Sequence, residues 1–515
     1  MDKILRYFLN RKIITIFSTL IVFYIIYLGL IEGLSFKVNG DFYAMLSTIS
    51  ACKNYLSGNF DINLFPDALL YSPHTNLISW LIAALSSLLN FEPIKAFYVI
   101  APTSIILFIF SFDYFLKKLK ITSSKRALII ITSILLVPTV VSFNYIGDGI
   151  FTLSDLLVTT VGWRIIGFAL LFICLGLAIS VEQKPTNKKI ALLAIMSFLL
   201  SNIYLVNFIL LLFLILFYLI CESIYKKIFI KQIFTVFVFI AIGGLFNLMI
   251  WPFYNLFSLL AQSYRDFQVS PMIQNPEDYA ANGLTYYLNI LSISLFGFIF
   301  LFREKNRFIK ISTFLCLLII SSSLFIPYFK IPYFWRFATL LKIFLIILII
   351  KNLNLQIKSY MTALIVALTL SLFFIYAKQS VTLIDKRPDD QGRLYQDLKK
   401  LDLTEGLILS DERTSNTIQS VGKFKTYAIP DGHVANREIS DLNLAKIDEL
   451  NKVLRTYDYE QINNFLIKKN ILYLVLNKDA AFVETFKLIE DNDFSFYPKI
   501  IQTTDLTIIK ITPLK

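Results

Sequence analysis

The chain has 515 residues, of which 56% are hydrophobic, 15% aromatic and only 17% charged, with a mean hydropathy of +0.66. A soluble domain carries about 25% charge, so most of this chain belongs in lipid, and a soluble enzyme, a disordered protein and a nucleic-acid reader are excluded. The net charge of +13 does not point to nucleic acid, because Lys and Arg fall mostly between apolar runs, where they orient a membrane protein.

Taken in chain order, Lys3, Arg6, Arg11 and Lys12 hold the N-terminus in the cytoplasm. The apolar run 13–31 then crosses outward; it has no small-residue cleavage site before Glu32 and reads as an anchor. The next basic cluster, Lys117 to Arg126, allows one return crossing. Two stretches compete for it, and the shorter, 77–89, is expected as an interfacial helix on the outer face, leaving 94–116 to span. Further basic clusters at Lys184/Lys188/Lys189, Lys226/Lys227/Lys231, Arg303 to Lys310 and Lys351/Lys358 are assigned to the cytoplasm, so each interval holds an even number of crossings.

Segments 127–146 and 165–181 fill the first of these intervals. The uncharged run 190–221 would be about 48 Å long as one helix, too long for one crossing. It is expected to be a hairpin of two helices, the first short, breaking near Asn202 and Asn207. Segments 233–251 and 284–302, then 311–326 and 337–350, complete the pairs, and 359–377 goes out. The fold class expected is therefore an α-helical polytopic membrane protein of about eleven spans, with residues 1–380 as its membrane domain. Lys378, Lys386 and Arg387 pull the other way at the last span, and the parity of the earlier intervals outweighs them.

From about Asp385 the composition is that of a soluble domain. Short apolar runs at 407–409, 471–476 and 506–511 read as buried strands, alternating with helix-like stretches at 442–455, 459–468 and 480–489. Residues 385–515 are thus expected to form a small α/β domain outside the cell. The four cysteines, Cys52, Cys174, Cys221 and Cys316, show neither a close pair nor a metal spacing.

The first outer loop, 33–76, opens on Asn39-Gly40-Asp41-Phe42-Tyr43 and closes on Tyr71-Ser72-Pro73-His74-Thr75-Asn76. A carboxylate just beyond the first span sits at the mouth of an outward cavity, where it acts as a general base or holds a divalent cation that neutralises a phosphate leaving group. The competing reading is that Asp41 caps the helix following it, 44–57. The loop 252–283, with Arg265, Asp266, Glu277 and Asp278, suits a gate or an acceptor loop.

At these residues the chain resembles the GT-C superfamily of integral-membrane glycosyltransferases, which take a sugar from a polyprenyl phosphate or diphosphate carrier. The resemblance rests on Asp41 after the first span, the Gly-containing stretch 54–60, and Tyr71-Ser72-Pro73, similar to that superfamily's Tyr-Pro-Pro but with Ser72 where Pro is commoner. The interfacial helix, the short helical hairpin and the outer C-terminal domain follow in the same layout. It implies that Asp41 is the catalytic acidic residue. By analogy with the metal-dependent oligosaccharyltransferase branch, it also implies Asp148 or Asp155 as a second ligand for a Mg or Mn ion, with solvated turn residues as the alternative.

The remaining candidates bind substrate. Arg336, in Pro332-Tyr333-Phe334-Trp335-Arg336, sits among aromatics at an outer span end, where a guanidinium holds a lipid phosphate bidentately or simply snorkels. Arg164, in Gly162-Trp163-Arg164, and Lys330 make the same case. The two histidines are His74, in the loop lining the expected cavity, and His433, in a tail-domain loop similar to one in some bacterial relatives. The activity expected is transfer of a sugar from a polyprenyl-phosphate carrier to an outer glycan, polymer, lipid or protein. The rivals are a lipid-linked saccharide flippase or transporter, which would need charges buried within spans, and a non-catalytic envelope-assembly protein.

Overall fold

The computed structural model describes residues 40–61, 64, 67, 70, 76–89, 93–139, 162–250, 300–325, 334–352, 398, 406–410, 414–415, 418, 424–427, 437–477, 484–492, 494, 497–502 and 506–511. The chain divides into two compact units. One comprises residues 1–31, 98–252 and 263–382; the other comprises 32–97, 253–262 and 383–515. The expected spans 13–31 and 359–377, and all but the last residues of 284–302, lie outside the described residues.

In the first unit, among the described residues, consecutive α-helices are joined by short turns at 119–122, 184–186 and 227–230. Two helices of the other unit, α1 (Gly40–Leu56) and α2 (Leu77–Leu88), come first among the described elements. They are followed by α3 (Pro93–Lys118), α4 (Ser123–Thr139), α5 (Gly162–Gln183), α6 (Asn187–Ile203), α7 (Leu205–Lys226), α8 (Lys231–Ile250), α9 (Arg307–Phe325) and α10 (Phe334–Asn352). Among the described residues two stretches are long and apolar enough to cross a membrane, Ile165–Gln183 and Leu205–Lys226. The expected hairpin within 190–221 is present, with a short first helix, but the break falls between the two asparagines, at Tyr204. Its φ of −151° and ψ of 86° leave the helix for one residue before α7 begins. The tip is locked by close packing: a Cβ on Gly167 would lie 2.6 Å from the Tyr204 Cβ, and one on Gly244 would lie 2.0 Å from the Phe208 ring. Small residues at such crossings let membrane helices approach closely, where dispersion is the main attraction.

The basic helix ends are brought together at one end of this unit. Lys125, at the start of α4, donates to the Lys351 carbonyl at the end of α10 (2.7 Å). Lys351 in turn pairs with Glu304 (2.5 Å). Arg307, opening α9, pairs with the buried Glu222 near the end of α7 (3.1 Å) and stacks 3.3 Å from the Tyr225 ring centroid. Tyr218 donates to Glu182 near the end of α5 (2.9 Å), and Arg126 pairs with Asp113 (2.6 Å). Clusters that share no sequence neighbourhood are thus linked at these helix ends.

The second unit holds α1, α2 and the tail domain. In α2 the Asn76 side chain accepts from the Ser79 N–H as an N-cap, and Ile78, Ile82 and Ala83 are buried. On the other side Leu81, Leu85, Leu88 and Leu89 are exposed, Leu88 at 80%. An uncharged helix buried on one side and leucine-rich on the other suits a water–lipid boundary. The tail is a five-stranded mixed sheet of order β2-β1-β3-β5-β4, with β1 Gly406–Leu409, β2 Phe424–Thr426, β3 Ile471–Asn477, β4 Lys499–Gln502 and β5 Leu506–Lys510. β2, β1 and β3 run parallel, while β5 is antiparallel to β3 and β4. Alternation along β3 sends Leu474 to one face, against Leu450, Leu454, Phe465 and Leu466. Tyr473 and Val475 go to the other, with Ile408, Ile418 and Phe424. The helices α11 (Arg437–Leu454), α12 (Tyr459–Lys468) and α13 (Glu484–Asp491) carry the first of these cores. Asp458 caps α12 through the N–H groups of Glu460 and Gln461.

Candidate functional site

The site begins with α1, whose first residue is Gly40 and whose second is Asp41. The expected helix 44–57 therefore reaches back at least to Gly40, and Asp41 lies within it instead of preceding it as a cap. Of the remaining first-loop candidates, Tyr71 and His74 lie outside the described residues, as do Asp148, Asp155, Lys330, His433 and the loop 252–283.

At its other end α1 closes in a glycine cap. Gly58 has φ +76°, and the bonds Asn59 N–H to Asn54 carbonyl (3.0 Å) and Gly58 N–H to Tyr55 carbonyl (3.2 Å) form the paired pattern of a left-handed helix stop. The Gly-containing stretch singled out in the sequence is thus a helix terminator. Tyr55 packs edge-on against Phe60 and against Trp80 of α2, with ring centroids 5.5 and 5.6 Å apart. Just beyond lies Asp67, 0% exposed. It accepts from Asn54 Nδ2 (2.7 Å), from the Asp61 backbone N–H (2.8 Å) and from Lys425 Nζ (2.7 Å). Lys425 also donates to the Asn59 carbonyl (2.9 Å). A second link runs from α11. Burial pushes the Lys446 ammonium below its ordinary range, and the charge of Asp61 works against that shift. The first loop and the tail are therefore one body, joined through charged groups more than 350 residues apart in sequence.

Arg164 and Arg336 each occupy the third position of a helix, α5 and α10. The far ends of the same helices enter the charged network, through Glu182 and Lys351. At 1.5 Å per residue Arg164 is about 27 Å from Glu182 and Arg336 about 22 Å from Lys351. Both arginines thus sit at the bundle end opposite the charged network. A cation in the first turn opposes the helix dipole at a cost of about 0.3–1 kcal/mol.

Sequence reasoning missed Lys342, which lies midway along α10 and is 9% exposed between the buried Leu341 and Ile343. Its signal was present, since a lone Lys inside an apolar run is unusual. Asp67 and Lys425 were also missed as a pair, and no local pattern marks them. Among the described residues no group of three His, Cys, Asp or Glu side chains is gathered to hold a metal.

No family model and no curated protein matches the chain. It is similar in structure to the archaeal oligosaccharyltransferase AglB from Archaeoglobus fulgidus in complex with an inhibitory peptide and a dolichol-phosphate. That likeness has 11% identity over 96% of this chain and 73% of that one, with a TM-score of 0.48. The Archaeoglobus fulgidus oligosaccharyltransferase tethered to an acceptor peptide gives 12% identity, 98% and 74% coverage and a TM-score of 0.46. Its complex with Zn and sulfate gives 12%, 91% and 68%, and 0.43.

Proposed function

We propose that the protein is an integral-membrane glycosyltransferase of the GT-C type, moving a sugar from a polyprenyl-phosphate or diphosphate carrier to an extracytoplasmic acceptor. The observation that carries this reading is the placement of Arg164 and Arg336 in first turns at the bundle end opposite the basic clusters. Cations there are suited to a carrier's phosphate at the outer boundary of the bilayer. The bond between Asp67 and Lys425 supports a common side for the Asp41 loop and the tail. With a cytoplasmic N-terminus and an anchoring first span, that side is outside the cell, and about eleven crossings satisfy it.

The reaction is a single displacement. Asp41 takes the proton of the acceptor hydroxyl, the acceptor oxygen bonds to the anomeric carbon, and the carrier phosphate leaves with the electron pair, its charge met by Arg336. The anomeric configuration inverts. Carboxylate donors such as Asp41 with Asp148 or Asp155 suit a hard cation, Mg or Mn, which when bound would neutralise the leaving phosphate. Tyr71, His74, Lys330, Arg164 and His433 are assigned to the carrier or sugar. The test is release of polyprenyl phosphate from carriers bearing glucose, mannose or an N-acetylhexosamine, by the purified chain with an extracytoplasmic membrane extract as acceptor source. Asp41→Asn should lower turnover at least about 100-fold with unchanged expression, and full activity in that variant removes the central role given to Asp41.

One observation favours a second reading. Lys342 is a charge buried within a helix, the feature expected of a lipid-linked saccharide flippase or transporter. Movement of a fluorescent lipid-linked saccharide across vesicles, lost in Lys342→Met and without release of polyprenyl phosphate, would select it.

A further inference from the structure

The buried carboxylate of Asp67 is fully engaged. Its Oδ1 accepts from Asn54 at 2.7 Å, and its Oδ2 accepts from the Asp61 N–H at 2.8 Å and from Lys425 at 2.7 Å. Two of the tethered groups, the Asn54 side chain and the Asn59 carbonyl held by Lys425, belong to the last turn and the stop of α1. Lys425 itself is the central residue of β2, whose flanking residues Phe424 and Thr426 are buried, at 3% and 0% exposed. Its backbone is fixed by parallel pairing with β1. An ammonium on a fixed strand therefore clamps the far end of the helix that carries Asp41.

From these contacts we infer that Lys425 is a positioning residue for Asp41, so that the tail domain is a working part of the catalytic apparatus. The inference rests on the reading of Asp41 as the base. Asp41 and Asn54 are separated by about 20 Å along α1. A tilt of about 3° at the clamped end displaces the other end by about 1 Å, and a misplacement of that size costs about 100-fold when a base must meet a hydroxyl in a near-attack geometry. The clamp is strong because both partners are charged and Asp67 is shut off from water. The strand's own pairing and its two buried flanks do not use the ammonium.

The test uses the full chain, purified in detergent, with whichever polyprenyl-phosphate sugar the parent turns over. Lys425→Met should lower kcat at least about tenfold with KM for the carrier held within about twofold. Lys425→Arg, which keeps a cation within reach, should restore most of the rate. Asn54→Ala, which cuts the same clamp from the side of α1, should lower kcat in the same way. In both slow variants the loss should persist after rates are normalised to the folded fraction read by size exclusion; a smaller folded fraction alone would vanish on that normalisation. An unchanged kcat in Lys425→Met overturns the inference alone, and so does a loss that Lys425→Arg does not relieve or that vanishes on normalisation to the folded fraction. A parent that releases no polyprenyl phosphate from any carrier overturns the proposed function and this inference with it.

Discussion

Glu304 offers the sharpest test of how the charged end of the helical unit is held. Its side chain is 1% exposed and lies just before α9. It accepts from Lys351 Nζ at 2.5 Å, from the Asn306 backbone N–H at 2.6 Å and from Asn352 Nδ2 at 3.1 Å. Glu304→Ala removes all three acceptances and leaves the Lys351 ammonium without its counter-charge. Breaking a buried pair costs about 3–5 kcal/mol; Lys351 is 24% exposed and recovers some hydration, so a loss of about 2–4 kcal/mol is expected. Glu304→Gln keeps one acceptor and most of the volume and should lose about 1–2 kcal/mol. Burial alone would raise the Glu304 carboxyl, but the Lys351, Asn306 and Asn352 donors and the Lys351 charge outweigh it, and the carboxyl is held below its usual value. A group with a lowered folded-state pKa stabilises fully above its unfolded value and loses that contribution as pH falls through the folded one. The parent should therefore exceed Glu304→Gln in thermal stability by a constant margin from about pH 5 to 8. That margin should close below about pH 4, near and under the ordinary carboxylate range. The assay is the apparent unfolding temperature in detergent, followed by fluorescence-detected size exclusion at a fixed heating rate. A Gln variant as stable as the parent at neutral pH, or a margin that closes between about pH 7 and 6, would refute the reasoning.

Two further outcomes follow from packing and from a buried hydroxyl. Gly243→Ala in α8 would place a methyl 2.4 Å from the Ala194 carbonyl oxygen and 3.1 Å from the Ser197 Cβ. The clash is with backbone, so overpacking of about 1–3 kcal/mol should outweigh the helix-propensity gain of about 1 kcal/mol. The variant should unfold at a lower temperature in detergent, and an unchanged or higher one would contradict the close α6–α8 approach. In the tail, Tyr497 donates to Asn463 in the core, and burial pushes its phenol up to about 12. Tyr497→Phe should cost about 1 kcal/mol, read as a lower denaturant midpoint of the tail transition, and ultraviolet titration should show this tyrosine ionising later than exposed ones.

Much of the layout is legible in the order of the residues. The uncharged run 190–221 is too long for one crossing, and α6 and α7 divide it because a single Tyr204 leaves helical geometry. The sequence points to Asn202 and Asn207 as the break because polar residues in an apolar run stand out. The asparagines instead lie within the two helices, Asn207 buried at 0%. Strands β1, β3 and β5 are marked by apolar runs; β2 and β4 are not, since Phe424-Lys425-Thr426 and Lys499–Gln502 are short outer strands of the sheet with alternating or exposed residues. Asp41 is legible as a candidate, but its inclusion in the helix is not, because Asp itself is a preferred cap residue and invites the reading that the helix starts after it.

Hydropathy and charge spacing are local properties. By themselves they determined the division of the run 190–221 into two helices and the α/β character of the tail, because strand and helix period act over a few residues at a time. Only the tertiary structure decided that Glu222 meets Arg307, that Glu304 meets Lys351, and that Lys425 reaches back across the chain to Asp67. Each of those pairs depends on where two distant backbones are brought, and an isolated Asp or Lys in a sequence carries no mark of the partner that folding will place beside it.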